Sequence, residues 1–342
     1  MPTGAPQSEL SQAELSQAEL SQAELSQAEL SQAELSQADV RADARPDAEH
    51  RAGVSAQLKA ELDAELDALP GRASVWFGRP GQAPAYVREP DATHYAASTM
   101  KVAVLAAAYR LADEGLLDLD EQVPVHDDFE SATGDGTSYH ATADYDSDPE
   151  PWALLGRSAG LRWLARRMIV RSSNLATNLV LERVGLPAVA AAWATAGARS
   201  SVVARGIQDY GAEQAGLSNL VTAADLAGLF TALYDGTLAS APACAQMLTV
   251  LLGQEVTQDV VRGLPPGTPV AHKNGWVEGI RHSAALVLPG DAPPYVLVTC
   301  VSADLDEDAG CAVVARVAAA TWKVRADAGT SETGAASPVP RD

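Results

Sequence analysis

Apolar residues recur at helical spacing in some parts of the chain and at strand spacing in others. In the first such part, residues 46–69 repeat an apolar residue about every four positions and predict an amphipathic helix. Pro70-Gly71 ends that helix. Two short apolar runs at 73–78 and 85–88 then predict a pair of strands separated by a Pro/Gly turn.

Helical spacing dominates the middle of the chain. An Ala-rich helix is predicted from about Ser98 to Glu114, with Gly115 ending it. Further helices are predicted at residues 152–168, 174–184, 187–196, 222–235 and 241–252. The polar and acidic segment 126–151 predicts a long surface loop, and segment 199–221 predicts an irregular stretch.

Strand spacing returns near the end of the chain. Residues 269–276, 282–288 and 295–302 predict three Val-rich strands, and residues 306–323 predict a last helix. Strands at both ends of a helical block exclude a repeating βαβ arrangement. We therefore predict an α+β fold with one antiparallel sheet of about five strands, built from both chain ends, and an inserted all-α domain. The sheet part comprises residues 46–97 and 269–325, and the helical part residues 98–268.

The first 45 residues have a different texture from this predicted domain of residues 46–325. Residues 11–35 are five tandem copies of Ser-Gln-Ala-Glu-Leu, and residues 36–40 are a degenerate sixth copy. A leucine every five residues advances about 140° around a helix, so the leucines form no single stripe. We predict a dispensable acidic tail, either disordered or a fraying helix, and a second disordered tail at 326–342.

Charge and cysteine content restrict the partners. The formal net charge is −21, and the first forty residues supply seven acids and no Lys or Arg. A body this acidic disfavours nucleic acids and anionic membranes as partners. Three widely spaced cysteines favour buried free thiols, and no pair has the spacing of metal ligands. We expect a monomer that binds a small molecule and uses no metal or other cofactor.

The N-terminus lacks the basic and apolar regions of a signal peptide, and no stretch is expected to span a membrane. We expect a cytoplasmic protein as the sequence is written, or a secreted one if the true start lies upstream.

Ser98-Thr-Met-Lys101 is the first candidate site. Positions i and i+3 share one face of a helix, and a lysine whose neutral form is favoured by burial can take a serine's proton. Lys101 opens a strongly apolar helix, so burial is expected. Ser98 is equally suited to capping that helix, and these residues alone leave both interpretations open.

Two later motifs add hydroxyl and amine groups. Ser172-Ser173-Asn174 precedes a predicted helix, where it is either a capping cluster or a proton relay with an amide that holds a substrate carbonyl. Lys273-Asn274-Gly275 lies on a predicted strand. The lysine there is either exposed at a sheet edge or functional, and the glycine suggests the close approach of a backbone or ligand.

Together, in this order, the three motifs resemble the S-x-x-K, S-D-N and K-T-G signature of serine β-lactamases and penicillin-binding proteins. The chain resembles the class A β-lactamase family over roughly residues 50–323. The resemblance implies that Ser98 is the acylated nucleophile, Lys101 its base or proton relay, and Ser172 a proton shuttle towards the leaving nitrogen. It also implies an oxyanion hole formed by the backbone N–H groups of Ser98 and Trp276.

The same resemblance implies a set of substrate contacts. Lys273 and Arg281 would bind a substrate carboxylate, with Asn174, Gly275 and Trp276 lining the site. The chain departs from the signature at three positions of these motifs: Ser173 replaces Asp, Asn274 replaces Thr or Ser, and Trp276 is bulky for its position.

The deacylating glutamate of the family has no evident counterpart. The family carries it in an E-x-x-x-N context, whereas residues 205–219 contain only Asp209 and Glu213 as carboxylates. Glu213 is the first candidate for the base and Asp209 the second. Without a positioned base, water attacks the ester slowly and the acyl-enzyme persists.

Two other segments resemble known functional motifs but lack features that those motifs require. Residues 156–160 fit G-x-S-x-G, but no buried strand precedes them, so we interpret Ser158 as structural. Residues 144–148 begin like a calcium loop. Because Pro149 replaces the required Gly and Leu155 the required Glu, we interpret them as a solvated acidic loop, one that could border the cleft.

We therefore expect a serine hydrolase that forms an acyl-enzyme at Ser98, with β-lactam hydrolysis as its leading activity. The substrate would be a β-lactam or an acyl-D-Ala-like amide with a carboxylate. One alternative is a D-alanyl-D-alanine carboxypeptidase or related peptidase or esterase with slow deacylation. Another is a non-catalytic ligand-binding or sensor protein on the same scaffold.

Overall fold

The computed structural model describes residues 48–328, which form a five-stranded antiparallel sheet with helices on both of its faces. The helices are α1 Ala48–Asp67, α2 Lys101–Asp113, α3 Pro149–Trp152, α4 Leu161–Val170, α5 Asn174–Thr195, α6 Tyr210–Gln214, α7 Ala223–Tyr234, α8 Ala241–Leu252 and α9 Glu307–Lys323. The strands are β1 Gly71–Gly78, β2 Tyr86–Arg88, β3 His94–Tyr95, β4 Gln122–Pro124, β5 Asp128–Glu130, β6 Ser138–His140, β7 Ser158–Gly160, β8 Leu220–Val221, β9 Val270–Val277, β10 Ile280–Val287 and β11 Tyr295–Ala303.

The main sheet joins the two ends of the described chain. Its strand order is β2-β1-β11-β10-β9, so β1 pairs with β11 across more than two hundred residues. Side chains alternate between two cores. Phe77 and Leu297 face the side covered by α1 and α9, whereas Val296 and Val298 face the helical block. This arrangement confirms the predicted α+β fold.

The first helix confirms its predicted apolar stripe. Leu58, Leu62 and Leu66 are buried against the sheet, as a spacing of four residues on one helix face requires. The three cysteines, Cys244, Cys300 and Cys311, are also buried and free, as predicted.

The helical block differs from its prediction in several segments. Residues 126–151 are not one loop, because β5 and β6 pair there as a hairpin and α3 follows. The helix predicted from residue 152 begins only at Leu161, since residues 158–160 form β7 and pair with β4. Segment 199–221 contains the short helix α6 and the strand β8.

Helix α5 consists of the two predicted helices, which meet at a residue with non-helical backbone angles. Gly185, with φ of 75° and ψ of 151°, kinks it just before Pro187. Contrary to expectation, α5 is long and apolar enough to cross a membrane, the one such helix between residues 48 and 328. However, 56% of its most apolar window is buried inside the fold, where its apolar side chains contribute to the core.

The predicted tails lie outside the described residues, apart from the first few residues of the second one. The fold thus brings the N-terminal end of α2, the N-terminal end of α5 and the edge strand β9 together, and these carry the three sequence motifs.

Candidate active site

Ser98 lies in a single 3₁₀ turn, Ala97–Met100, that leads directly into α2. The residue before the turn is Ala96, and no side chain caps it, so Ser98 does not act as the helix cap. Ala97 has a φ of 44°, a strained value for a residue with a side chain. The turn opens into a cleft of about 570 Å³, which the Ser98 side chain lines.

Lys101 occupies the first turn of α2 and is fully buried. Its Nζ donates to the backbone oxygen of Ser172 at 2.7 Å and to Asn174 Oδ1 at 2.9 Å. Burial lowers the pKa of Lys101 from 10.5 to about 7, and the charge of nearby Asp146 partly opposes this. About half of the Lys101 amines are therefore neutral at pH 7 and able to accept a proton.

Ser172 joins two buried lysines. Its Oγ lies 3.3 Å from Lys101 Nζ and 3.0 Å from Lys273 Nζ, in reach of a hydrogen bond with each. Its backbone has a φ of 59°, in the left-handed region that a serine rarely adopts. Two strained residues, Ala97 and Ser172, thus lie at the two serine motifs, and such strain concentrates at functional sites.

Lys273 is fully buried on the edge strand β9. Besides Ser172 Oγ, its Nζ donates to the backbone oxygen of Asn274 at 2.7 Å. Burial first, and then the charge of Lys101, hold the pKa of Lys273 well below its usual value. The predicted exposed edge lysine is thus excluded in favour of a buried group beside the relay serine.

Gly275 allows the nucleophile's backbone to approach β9. A Cβ at this position would lie 2.7 Å from the backbone nitrogen of Ser98, closer than real Cβ contacts come, and 3.0 Å from that of Thr99. Only glycine therefore fits here without moving the 3₁₀ turn. The close approach expected from a glycine within a strand is that of Ser98 itself.

Trp276 follows on the same strand and lines the cleft. The carbonyl of Asn274 accepts from Lys273 Nζ, and so points away from β10. In an antiparallel strand the backbone groups two residues on point the same way. The N–H of Trp276 therefore points outward from the sheet edge, on the side where the resemblance expects an oxyanion hole.

Asn174 begins α5, and an unpredicted aspartate holds it in place. Its side-chain amide donates to the backbone oxygen of Tyr145 at 2.6 Å. Asp146 Oδ2 accepts from the backbone N–H groups of Asn174 and Leu175 and from the Ser173 hydroxyl, at 2.8 to 3.1 Å. The acidic loop of residues 144–148 thus borders the cleft and caps the helix that carries the second motif.

Arg281 does not line the cleft, although the resemblance implies a carboxylate-binding role for it. It pairs across the sheet with Trp276, and its Nε donates to Asp259 Oδ2 at 3.0 Å. Asp259 is fully buried and also accepts from Asn274 Nδ2 at 3.1 Å. Asp259 was not predicted, because it lies 22 residues before Arg281 in a segment without periodicity.

The two candidate deacylating bases are both engaged elsewhere. Glu213 is 40% exposed, forms an ion pair with Arg205 Nη2 at 2.5 Å, and does not line the cleft. Asp209 is buried, and its carboxylate accepts from the Ser131 hydroxyl and from backbone N–H groups of Ala132 and Ala212. Asp209 therefore ties α6 to the hairpin region.

Four residues of this segment line the cleft, and none is a carboxylate: Arg205, Ile207, Gln208 and Tyr210. Ile207 lines it, and both backbone polar groups of Ile207 bond to the Asn178 amide, at 2.8 and 2.9 Å. Asn178 lies one turn into α5 from Asn174, which is the helical spacing that could have indicated it in the sequence.

The G-x-S-x-G motif, which contains Ser158, does not form part of this site. Ser158 is exposed on β7, which is too short to be the buried strand of a nucleophile elbow. Within residues 48–328, no group of three or more His, Cys, Asp or Glu side chains is arranged to hold a metal ion.

Comparison with known proteins decides the family. The model of the beta-lactamase enzyme family matches residues 57–324. The chain belongs to the beta-lactamase enzyme family. A pentapeptide-repeat model also matches eight copies at residues 8–42, consistent with the period of five in the sequence. No curated protein sequence matches the chain.

Solved structures share the beta-lactamase fold. A beta-lactamase from Xanthomonas campestris is 21% identical with a TM-score of 0.68, covering 80% of this chain and 97% of that one. One from Sphaerobacter thermophilus is 24% identical with a TM-score of 0.66, covering 80% and 97%. PBP-A is 20% identical with a TM-score of 0.66, covering 78% and 95%. The chain is thus a serine hydrolase of the beta-lactamase and penicillin-binding kind.

Proposed function

We propose that the protein opens β-lactam rings by forming a covalent acyl-enzyme at Ser98, which it releases slowly. The observation that carries this proposal is the Lys101–Ser172–Lys273 arrangement beside the cleft. Two buried amines within 3.3 Å of one hydroxyl form a path along which a proton can move without leaving the protein. The Ser98 turn opens into the same cleft.

The chemistry follows from these positions. Neutral Lys101 accepts the proton of Ser98 Oγ, which attacks the lactam carbonyl and forms the acyl C–O bond. Negative charge on the carbonyl oxygen faces the backbone N–H groups of Ser98 and Trp276. As the C–N bond breaks, the leaving nitrogen takes a proton from the Ser172 hydroxyl, and Ser172 recovers one from the lysines.

Slow release is inferred from segment 205–219, where neither candidate base is free at the cleft. Glu213 is paired with Arg205, and the buried Asp209 is bonded to Ser131 and Ala132. Ile207 presents a hydrocarbon surface, which cannot activate water. A point mutant of PBP-A, one of the structures of similar fold, was solved as an acyl-enzyme complex with penicillin G. These observations also favour a penicillin-binding type of carboxypeptidase as the second candidate.

Mass spectrometry of the intact protein during reaction with a chromogenic β-lactam tests this proposal. We expect an adduct that forms on Ser98 and decays slowly, and none in Ser98→Ala. The exposed Ser158→Ala variant is the matched control and should react as the parent does. An adduct that persists in Ser98→Ala would exclude the mechanism.

The release step has its own test. Ile207→Glu places a carboxylate on a backbone that Asn178 holds in position, so we expect hydrolysis of the adduct to accelerate by about tenfold or more. Ile207→Gln has the same shape without the base and should not accelerate it. Equal release rates in both variants would show that a missing base at position 207 does not limit release.

A further inference from the structure

The turn that carries Ser98 has a strained backbone. Ala97 adopts a φ of 44°, and the turn lies so close to Gly275 that a Cβ there would come within 2.7 Å of the Ser98 backbone nitrogen. Strain of this kind persists only where the surrounding structure fixes the backbone. The neighbours of the turn should therefore include a group that holds it in place.

His282 contacts the backbone just before this turn. It pairs with Gly275 across β9 and β10, so its side chain lies on the face where Gly275 leaves space. The ring is 0% exposed, and its Nε2 lies 3.0 Å from the backbone oxygen of Tyr95. Only Ala96 separates Tyr95 from the strained Ala97.

The hydrogen bonds of His282 fix its tautomer. The backbone N–H of Val301 donates to Nδ1 at 3.1 Å, so Nδ1 carries no proton. In a neutral ring the proton is then on Nε2, which donates to the Tyr95 oxygen. A second proton on Nδ1 would face the N–H of Val301, and burial also opposes it, lowering the pKa of His282 to about 4. His282 is thus a neutral donor with one orientation.

His94 packs against His282 and is itself held at both ring nitrogens. The two rings meet edge to face, with their centroids 5.4 Å apart. Ser74 donates its proton to the Glu89 backbone oxygen at 2.8 Å, so Ser74 Oγ accepts from His94 Nε2 at 2.9 Å. The Ser302 hydroxyl then donates to His94 Nδ1 at 2.8 Å. Neither ring can rotate without breaking hydrogen bonds in the interior.

We infer that His282 is a positioning residue for the nucleophile, which holds the Tyr95 carbonyl and thereby fixes the backbone that places Ser98 at the cleft. The inference rests on acylation of Ser98, the proposed function. His282 does not line the Ser98 cleft, so it acts through the chain and not on the substrate. The backbone N–H of Ser98 is one of the expected oxyanion donors, and its position affects the rate directly.

Two substitutions separate the hydrogen bond from the volume of the ring. His282→Leu fills the space without a donor, and acylation of Ser98 by a chromogenic β-lactam should slow by about tenfold or more, because a displacement of about 1 Å can cost about 10²-fold. His282→Gln keeps an N–H near the position of Nε2 and should acylate within about threefold of the parent's rate. A His282→Leu protein with the parental rate, or a His282→Gln protein as slow as His282→Leu, overturns the inference.

The control for lost stability is Leu62→Ala. Leu62 is buried in the core on the opposite face of the sheet, so its truncation opens a cavity away from the Ser98 turn. Urea unfolding should show a loss of stability, whereas acylation should proceed as in the parent. If Leu62→Ala slows acylation as much as His282→Leu does, reduced stability explains both effects and the inference fails.

Hydrogen exchange gives a second measurement that needs no turnover. The amides of Ala96 and Thr99 donate to backbone oxygens of Asn219 and Ala96, at 2.9 and 3.2 Å. In His282→Leu, exchange in a peptide covering residues 94–100 should accelerate by about tenfold or more relative to Leu62→Ala. If the parent is not acylated but this exchange accelerates, the proposed function fails and the positioning role stands. If the parent is acylated and His282→Leu changes neither acylation nor exchange, only the inference fails.

Discussion

The two faces of strand β9 carry similar polar side chains, but those side chains have different roles. On the cleft face, Lys273 and Gly275 approach Ser172 and Ser98. On the anchor face, Asn274 of β9 and Arg281 of β10 converge on the buried Asp259. The cleft face places the Lys273 amine beside the Ser172 hydroxyl, whereas the anchor face pairs the Arg281 guanidinium with the Asp259 carboxylate. A strand period of two thus separates chemistry from anchoring within three consecutive residues.

The largest expected effect is on the cleft side. Lys101→Met removes the proton acceptor, so acylation of Ser98 should fall by about 10²- to 10⁴-fold, the usual contribution of a general base. The fold should persist, because a buried amine is replaced by an apolar chain of similar length. Acylation rates and urea unfolding measure the two effects.

The control for this variant is Lys323→Met, which removes an exposed lysine on α9. It should acylate like the parent. A Lys101→Met protein that reacts at nearly the parental rate would show that the cleft face does not use this amine.

On the anchor face, the effect should appear in stability. Asp259→Asn leaves Arg281 buried without its counter-charge, which should lower the free energy of unfolding by about 3–5 kcal/mol. Urea denaturation measures this loss. Adding Arg281→Gln should recover most of it, since no lone charge remains. An unchanged stability of the single variant would mean that the pair does not anchor these strands.

The residues of the cleft face could be predicted from the sequence, but the role of Asp259 on the anchor face could not. The three motifs and the two-ended sheet are visible because each is a local pattern, and Lys101 is followed by an unbroken apolar run that predicts its burial. Asp259 has no such local signal, and the sequence indicates Asp146 only as part of an acidic loop that could border the cleft. Their roles depend on donors that only the folded chain brings together.

The unpredicted strands have a similar cause. Strands β5 and β6 have three residues each, and only Phe129 among their side chains is fully buried. Such short strands have no measurable period. The two helical patterns on either side of Gly185 predict two helices, and the non-helical backbone of Gly185 separates them in the structure as well.

Acid should lower the stability of the folded protein through His282, which lies on the cleft face of the sheet. His282 pairs with Gly275 across the sheet and is buried, with its Nε2 against the Tyr95 backbone oxygen. Burial lowers the pKa of His282 from 6.5 to about 4. Between these values the unfolded chain binds the proton and the folded one does not, so stability falls as pH falls. The loss between pH 6.5 and 4 should be on the order of 3 kcal/mol.

Urea unfolding at several pH values measures this loss, with His282→Gln as the comparison. The variant should lose less stability than the parent over the same interval. The buried His94, whose pKa is also lowered to about 4, would account for the remaining slope. Identical slopes in both proteins would assign the acid sensitivity to other groups.

The smallest expected effect concerns contact between the strand and the nucleophile. Gly275→Ala forces the Ser98 turn away from β9, so acylation should slow by about tenfold and stability should fall by about 1–3 kcal/mol. Gly290→Ala is the matched control, because a Cβ there would meet no atom within 4 Å. Equal acylation rates in the two variants would show that this contact does not position Ser98.

The pairing of β1 with β11 has a consequence for how the protein is made. A ribosome delivers β1 long before β11, so the edge of β1 that β11 covers stays open while the helical block is synthesised. Contacts this distant in sequence also form slowly. The nascent chain therefore passes through a stage with an unpaired strand edge, and its reactivity towards a β-lactam would report the moment when the last strands close the sheet.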